Sequence, residues 1–164
     1  MKILAILLLA AATCLAAGDQ TPDPTPETIT WLIGPEEALR RASASRRPLL
    51  VNSTGSDWCI WCHRLRDEIL LQKHFLDYAT RHLLLLEVDS PHKTQLPAAL
   101  ARQNDALKEK YRITGYPTLL LLSADGKELG RLAYMQGGPK TFVREIKRLL
   151  GAPGAPGPGN PGPP

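Results

Sequence analysis

Two of the three cysteines, Cys59 and Cys62, stand either side of Ile60 and Trp61, with His63 directly after them. Thiols at this spacing sit one helical turn apart, so the pair can close a disulfide, open it, and pass two electrons to another sulfur. The attacking species is a thiolate, and a cysteine at a helix N-terminus faces unpaired backbone N–H groups and the positive end of the helix dipole. Cys59 is therefore the expected nucleophile. Its attack leaves a mixed disulfide with the substrate, which Cys62, one turn later and less exposed, resolves by attacking the Cys59 sulfur. Run backwards, the same steps donate a disulfide. Neither direction requires a cofactor or a metal.

The direction depends on how strongly the Cys59 thiolate is stabilised. Ile60 and Trp61 bring no charge, while His63, Arg64 and Arg66 follow closely, and the balance favours a reductase or general exchange role over an oxidase. Trp58, Ile60 and Trp61 offer an apolar surface around the cysteines on which an extended substrate chain can lie. Rival chemistries share the same residues. Cys59 to His63 also spells C-x-x-C-H, the attachment sequence of c-type haem, with Met135 as an axial candidate. Thiolates joined by His74, His82 or His92 would suit zinc or copper, although a solvated surface is the expected place for each of these histidines.

The surrounding elements follow from periodicity. Residues 36–45 read as a helix with Pro35 in its first turn, and Leu49 to Val51 as a short buried strand, followed by loop composition over 53–57. From Cys59 onward, Cys62, Leu65, Arg66, Ile69 and Leu70 fall at helical spacing, with Arg64, Asp67, Glu68 and Lys73 on the other side. Leu83 to Val88 has the pattern of a central strand buried on both faces, and helical spacing resumes over 96–111. Strands are expected at 118–122 and 128–133, joined through Asp125-Gly126, and a final helix over 139–150. This order predicts an α/β fold, a central mixed sheet flanked by helices on both faces.

With those elements in place, the chain resembles the thioredoxin superfamily, and more narrowly exported bacterial thioredoxin-like proteins carrying Ser-Asp-Trp-Cys-x-Trp-Cys. Two stretches carry the likeness: Pro48 to Leu70 around the cysteines, and Tyr111 to Leu122 with its Gly115-Tyr116-Pro117-Thr118 core. The likeness extends from about Trp31 to Leu150. It implies a thiol–disulfide oxidoreductase acting on protein disulfides, with Pro117 in the cis form and Pro117 and Tyr116 as a substrate-docking wall. Such proteins also tend to bury an acid six residues before the first cysteine, where this chain has Ser53. The same fold serves as a binding or chaperone module with little redox turnover, and that reading stays open at this stage.

The ends of the chain fix the expected compartment. Lys2, the apolar run that follows it and the small residues up to Ala17 make residues 1–17 a signal peptide, too short an apolar run for a membrane span. A flexible segment then covers 18–28, a single thioredoxin-like domain 29–150, and a disordered Pro/Gly-rich tail 151–164. Export to the periplasm follows, with secretion as the alternative and a membrane tether if Cys14 carries a lipid. Expected partners are proteins with thiols or disulfides and a separate redox partner. The net charge of +4 is scattered among 16 acids without a basic block, which argues against nucleic acid.

Overall fold

The computed structural model describes residues 29–151. The signal peptide, Cys14, the segment 18–28 and the tail beyond Gly151 lie outside the described residues. The first helix, α1 (Pro35–Ser45), opens with proline at a position needing no N–H and with Glu36 and Glu37 in the turn where the helix dipole favours acids. It buries Ala38 and Ala42 completely.

Next come β1 (Leu49–Thr54), then α2 (Ile60–Leu65), which runs directly into a π-helical turn at Arg66–Leu70. After these lie α3 (Lys73–His82), β2 (Leu84–Asp89), α4 (Ala98–Lys110), β3 (Thr118–Leu122), β4 (Glu128–Leu132) and α5 (Gly138–Gly151). The sheet order is β2-β1-β3-β4, with β1 parallel to β2 and the other two pairings antiparallel. This is the expected mixed sheet, and strand alternation divides the core between its faces. Leu50, Leu85, Leu119 and Leu121 pack with Leu65, Ile69, Phe75, Phe142 and Ile146, while Val51, Leu86, Val88, Leu120 and Leu122 pack with Ala38, Ala42 and Leu107 on the other side.

Three expectations are corrected. Ser53 and Thr54 read as loop but belong to β1, because hydrogen-bonded neighbours on both sides hold polar residues in the strand; the pairing runs to Thr54↔Asp89 and Ser53↔Thr118. The leucine run of β2 suggested a central strand, yet β2 is the outermost member of the sheet. Its free side is partly covered by the segment before α1: Leu32 N–H donates to the Leu85 carbonyl at 2.9 Å and Glu87 N–H to the Leu32 carbonyl at 2.8 Å. Finally, α3 is a separate helix. Helical spacing carries Lys73 on from the helix of the cysteines, but Gln72 takes an extended conformation (φ −81°, ψ 138°) and starts a new element that buries Phe75 and Ala79.

In the 123–127 connection Gly126 has φ +79° and donates its N–H to the Ser123 carbonyl, the conformation for which the Asp-Gly step was read. The last helix buries Phe142, Val143, Ile146 and Leu149, with the Phe142 ring edge-on to Phe75 at 6.1 Å between centroids. Phe142→Ala should therefore lower unfolding stability by about 3–5 kcal/mol, read from a urea titration as a lower midpoint with an unchanged slope.

Candidate redox site

Cys59 caps α2 in an extended conformation, and its sulfur accepts the Cys62 N–H at 3.2 Å. The two sulfurs are joined in a disulfide with the Cα atoms 5.2 Å apart. The expected contrast in exposure is nearly absent, since Cys59 is 6% and Cys62 5% exposed. What distinguishes them is their surroundings. Cys59 stands at the head of the helix beside Ile60, itself 65% exposed, whereas Cys62 lines a cavity with Asn52, His63 and Glu87 that opens past the exposed Leu71.

The second expected stretch arrives through the sheet. Antiparallel pairing of β1 with β3 ends at Ser53↔Thr118, so the chain leaving β1 toward Cys59 runs beside the chain entering β3 through Pro117. The Tyr116–Pro117 bond is cis and Pro117 is buried. Tyr116 meets Trp58 edge-on at 5.5 Å.

Trp58 and Trp61 do not form one platform. Trp58 folds back over Gly55, donates its indole N–H to the Ser90 carbonyl at 2.8 Å, and lies flat against His92 with centroids 4.3 Å apart. Trp61 belongs to a second cluster, 5.3 Å from Tyr134 with the Arg64 guanidinium 5.0 Å above its ring. The Tyr134 hydroxyl and Arg64 both donate to Glu68 and hold its carboxyl below the ordinary value.

The loop after β2 supplies residues that the sequence did not single out. Asp57 accepts the His92 N–H at 2.9 Å and the Lys93 N–H at 2.7 Å, and these backbone donors lower its pKa, the His92 bond most. Ser90 Oγ accepts from the Tyr116 hydroxyl and from Lys108, each at 2.9 Å. Ser90 thus ties Trp58 and Tyr116 to one point. His92 is exposed, as expected, and also stacks on Trp58, while His82, exposed as well, packs on Tyr78 at 4.6 Å. The only signal for His92 in the sequence was a loop histidine beside proline, which carries no spatial information.

Each basic side chain following the cysteines is engaged elsewhere. His63 Nε2 lies 2.8 Å from the Ser56 carbonyl, Arg64 pairs with Glu68 at 2.9 Å and Arg66 with Asp67 at 2.8 Å. Ser53 is fully buried, and alternation turns it to the face opposite Asn52, away from the Cys62 cavity. Met135, the axial candidate of the haem reading, packs against the core.

This arrangement matches known proteins. Residues 35–148 fit the thioredoxin-like domain family. The chain is 38% identical over 114 residues to disulfide bond reductase DsbH of Chlamydia pneumoniae, covering 70% of this chain and 69% of that protein. It is 33% identical over 135 residues to thioredoxin-related protein DsbJ of the same organism, covering 80% of this chain but only 37% of DsbJ. The solved structure of DsbH oxidoreductase aligns with a TM-score of 0.72 at 34% identity, over 82% of this chain and 95% of that one. A thioredoxin from Thermus thermophilus shares the fold at 20% identity, with a TM-score of 0.57 over 76% and 89% of the two chains. The chain belongs to the thioredoxin-like family. Its cysteine pair and these relatives make it a thiol–disulfide oxidoreductase.

The Trp58 anchorage can be tested at Gly55. A Cβ there would lie 2.4 Å from Trp58 Cε2, so Gly55→Ala must push the indole off its seat. The variant should lose about 1–3 kcal/mol of stability and show a tryptophan emission shift that is absent from a Gly55→Ala, Trp58→Phe double variant.

Proposed function

We propose that this protein reduces disulfides of other proteins in the cell envelope, with Cys59 as the attacking thiol and Cys62 as the resolving one. The observation that carries the direction is the sparse stabilisation of the Cys59 sulfur. The described hydrogen bonds give it one backbone donor, the Cys62 N–H, while His63, Arg64 and Arg66 are each directed to another partner. A pair whose thiolate form is weakly stabilised is a weak oxidant and, once reduced, a good reductant. The likeness to a protein named disulfide bond reductase supports the same direction.

In this reading the reduced Cys59 thiolate attacks one sulfur of a substrate disulfide and expels the other as a thiolate. Cys62 then attacks Cys59, the mixed disulfide breaks, the second substrate thiolate leaves, and the Cys59–Cys62 bond closes. Two electrons have passed to the substrate, and a separate dithiol partner must restore them. Ile60 at the rim, Trp58 and Tyr116 around Ser90, and Pro117 at the head of β3 provide the wall against which the substrate chain lies. Trp61, seated with Tyr134 and Arg64, extends the contact on the other side of the helix start.

The compartment follows from residues 1–17 read as a signal peptide, cleaved near Ala17, which would leave the 29–150 domain carrying the cysteine pair outside the cytoplasm. Cys62→Ser should accumulate covalent complexes between Cys59 and substrate proteins, visible as bands that collapse on reduction. Cys59→Ser should form none and reduce no test disulfide. A Cys62→Ser protein that traps nothing, beside a wild type that reduces no test disulfide, would leave a binding module with this fold as the better reading.

A further inference from the structure

We infer that Glu87 accepts the proton of the Cys62 thiol in the resolving step, acting across the cavity that both residues line. The inference rests on the exchange reading of Cys59 and Cys62, and asks how a buried thiol loses its proton when its turn comes.

Cys62 is 5% exposed, so its direct contact with solvent is slight, and only its thiolate attacks. The cavity it faces has a volume of about 250 Å³ and is walled by Asn52, His63, Arg66 and Glu87 among others. It is large enough for water, and its walls call for it: Asn52 Oδ1 is buried without a hydrogen-bond partner. Asn52 and Glu87 are register partners on β1 and β2, so their side chains share the sheet face under α2.

Asp89 and Arg66, the nearest charged groups, are committed to other partners. Asp89, at the end of β2, accepts the Ser56 N–H at 2.9 Å and the Ser56 hydroxyl at 2.6 Å. Arg66, from the π-helical turn, is a cation paired with Asp67. His63, from α2, faces the Ser56 carbonyl through Nε2, so that nitrogen carries hydrogen; in the neutral ring Nδ1 is then a competing acceptor, the alternative that His63→Gln tests. The Glu87 carboxyl remains. Burial pushes its pKa up and the Asp89 carboxylate adds to this, while Arg66 partly offsets them.

The sign of that shift argues for a role. An acid whose folded pKa lies above its unfolded value destabilises the native state increasingly as pH rises through the folded pKa. At neutral pH Glu87 therefore opposes folding, and an amide of the same shape would not. A half-buried carboxylate held against its own stability, on a cavity shared with a thiol, fits a group that must take up a proton.

The S–H proton of Cys62 passes through cavity water to the Glu87 carboxylate, and the Cys62 thiolate attacks the Cys59 sulfur of the mixed disulfide. The Cys59–Cys62 bond forms, the bond from Cys59 to the substrate sulfur breaks, and that sulfur departs as a thiolate. Glu87 then returns its proton to solvent. Glu87 reaches the sulfur through the cavity, so it acts as a positioning residue for the proton.

The test uses the full-length reduced protein carrying Cys14→Ser, so that Cys59 and Cys62 are its only thiols, and an aromatic disulfide whose released thiolate is coloured. The first equivalent released reports attack by Cys59, and the second reports resolution by Cys62. Glu87→Gln should leave the first phase unchanged and slow the second by about 10²-fold at neutral pH, with Glu87→Asp recovering part of it. In a Cys59→Ser background, Glu87→Gln should move the pH midpoint of alkylation at Cys62 downward, because a neighbouring negative charge is gone. Slower resolution with an easier ionisation is a combination that simple loosening of the fold would not give. An unchanged second phase or an unmoved alkylation midpoint in Glu87→Gln overturns the inference, as does loss of the second phase in His63→Gln alone. A wild type that releases no second equivalent removes the exchange reading and this inference with it.

Discussion

Antiparallel pairing of β1 with β3 is the constraint on which the site depends. The two strands are buried along their whole length and lie side by side at the centre of the sheet, with Leu49 opposite Leu122 and Ser53 opposite Thr118. The register is strongly specified, because a slip of one residue would turn Leu50 and Leu121 out of one core layer and Val51 and Leu120 out of the other. Fixing that register also fixes where β1 releases the chain toward Cys59 and where Pro117 delivers it to β3. Residues more than fifty positions apart thereby meet at one end of the sheet, and the cysteines are presented against a wall rather than on a free loop.

The loop after β2 adds a second level of order. Asp57 gathers two of its backbone N–H groups, and Ser90 holds both the Trp58 indole and the Tyr116 hydroxyl. The aromatic groups beside the disulfide are thus braced by polar contacts from a third part of the chain. Around the helix of the cysteines, meanwhile, His63, Arg64 and Arg66 are each drawn to a partner of their own. The sulfur of Cys59 is left with the backbone as its stabilising field, which is a modest one, and this links the packing of ordinary surface ion pairs to the direction of electron flow.

How much of this could be read beforehand divides along physical lines. The cysteine spacing, the helix start at Cys59, β3, the Asp-Gly turn and α5 were legible because each is written in local periodicity or in residues with strict backbone demands. The break at Gln72 was not, since α2, the π-helical turn and α3 share one amphipathic pattern across a single change of backbone direction. The place of β2 at the edge was hidden because Leu32 and its neighbours cover the free side and let the strand stay apolar. Counting back from the cysteines suggested Ser53 as the residue beneath them, whereas the pleat turns Asn52, and with it Glu87, toward Cys62. Side-chain direction depends on a register that spacing alone does not contain, and the roles of His92 and Ser90 depend on a loop reaching across the sheet.

The central claim is that the Cys59–Cys62 pair is reducing because its thiolate is weakly stabilised. The most direct measurement is its reduction potential, taken by equilibrating the protein against glutathione buffers and quantifying the free thiols after alkylation. The account predicts a value near that of thioredoxin, about −270 mV. A value near about −120 mV, typical of a strong disulfide donor, would contradict it and would mean that the thiolate is held by a field that the backbone at Cys59 does not supply.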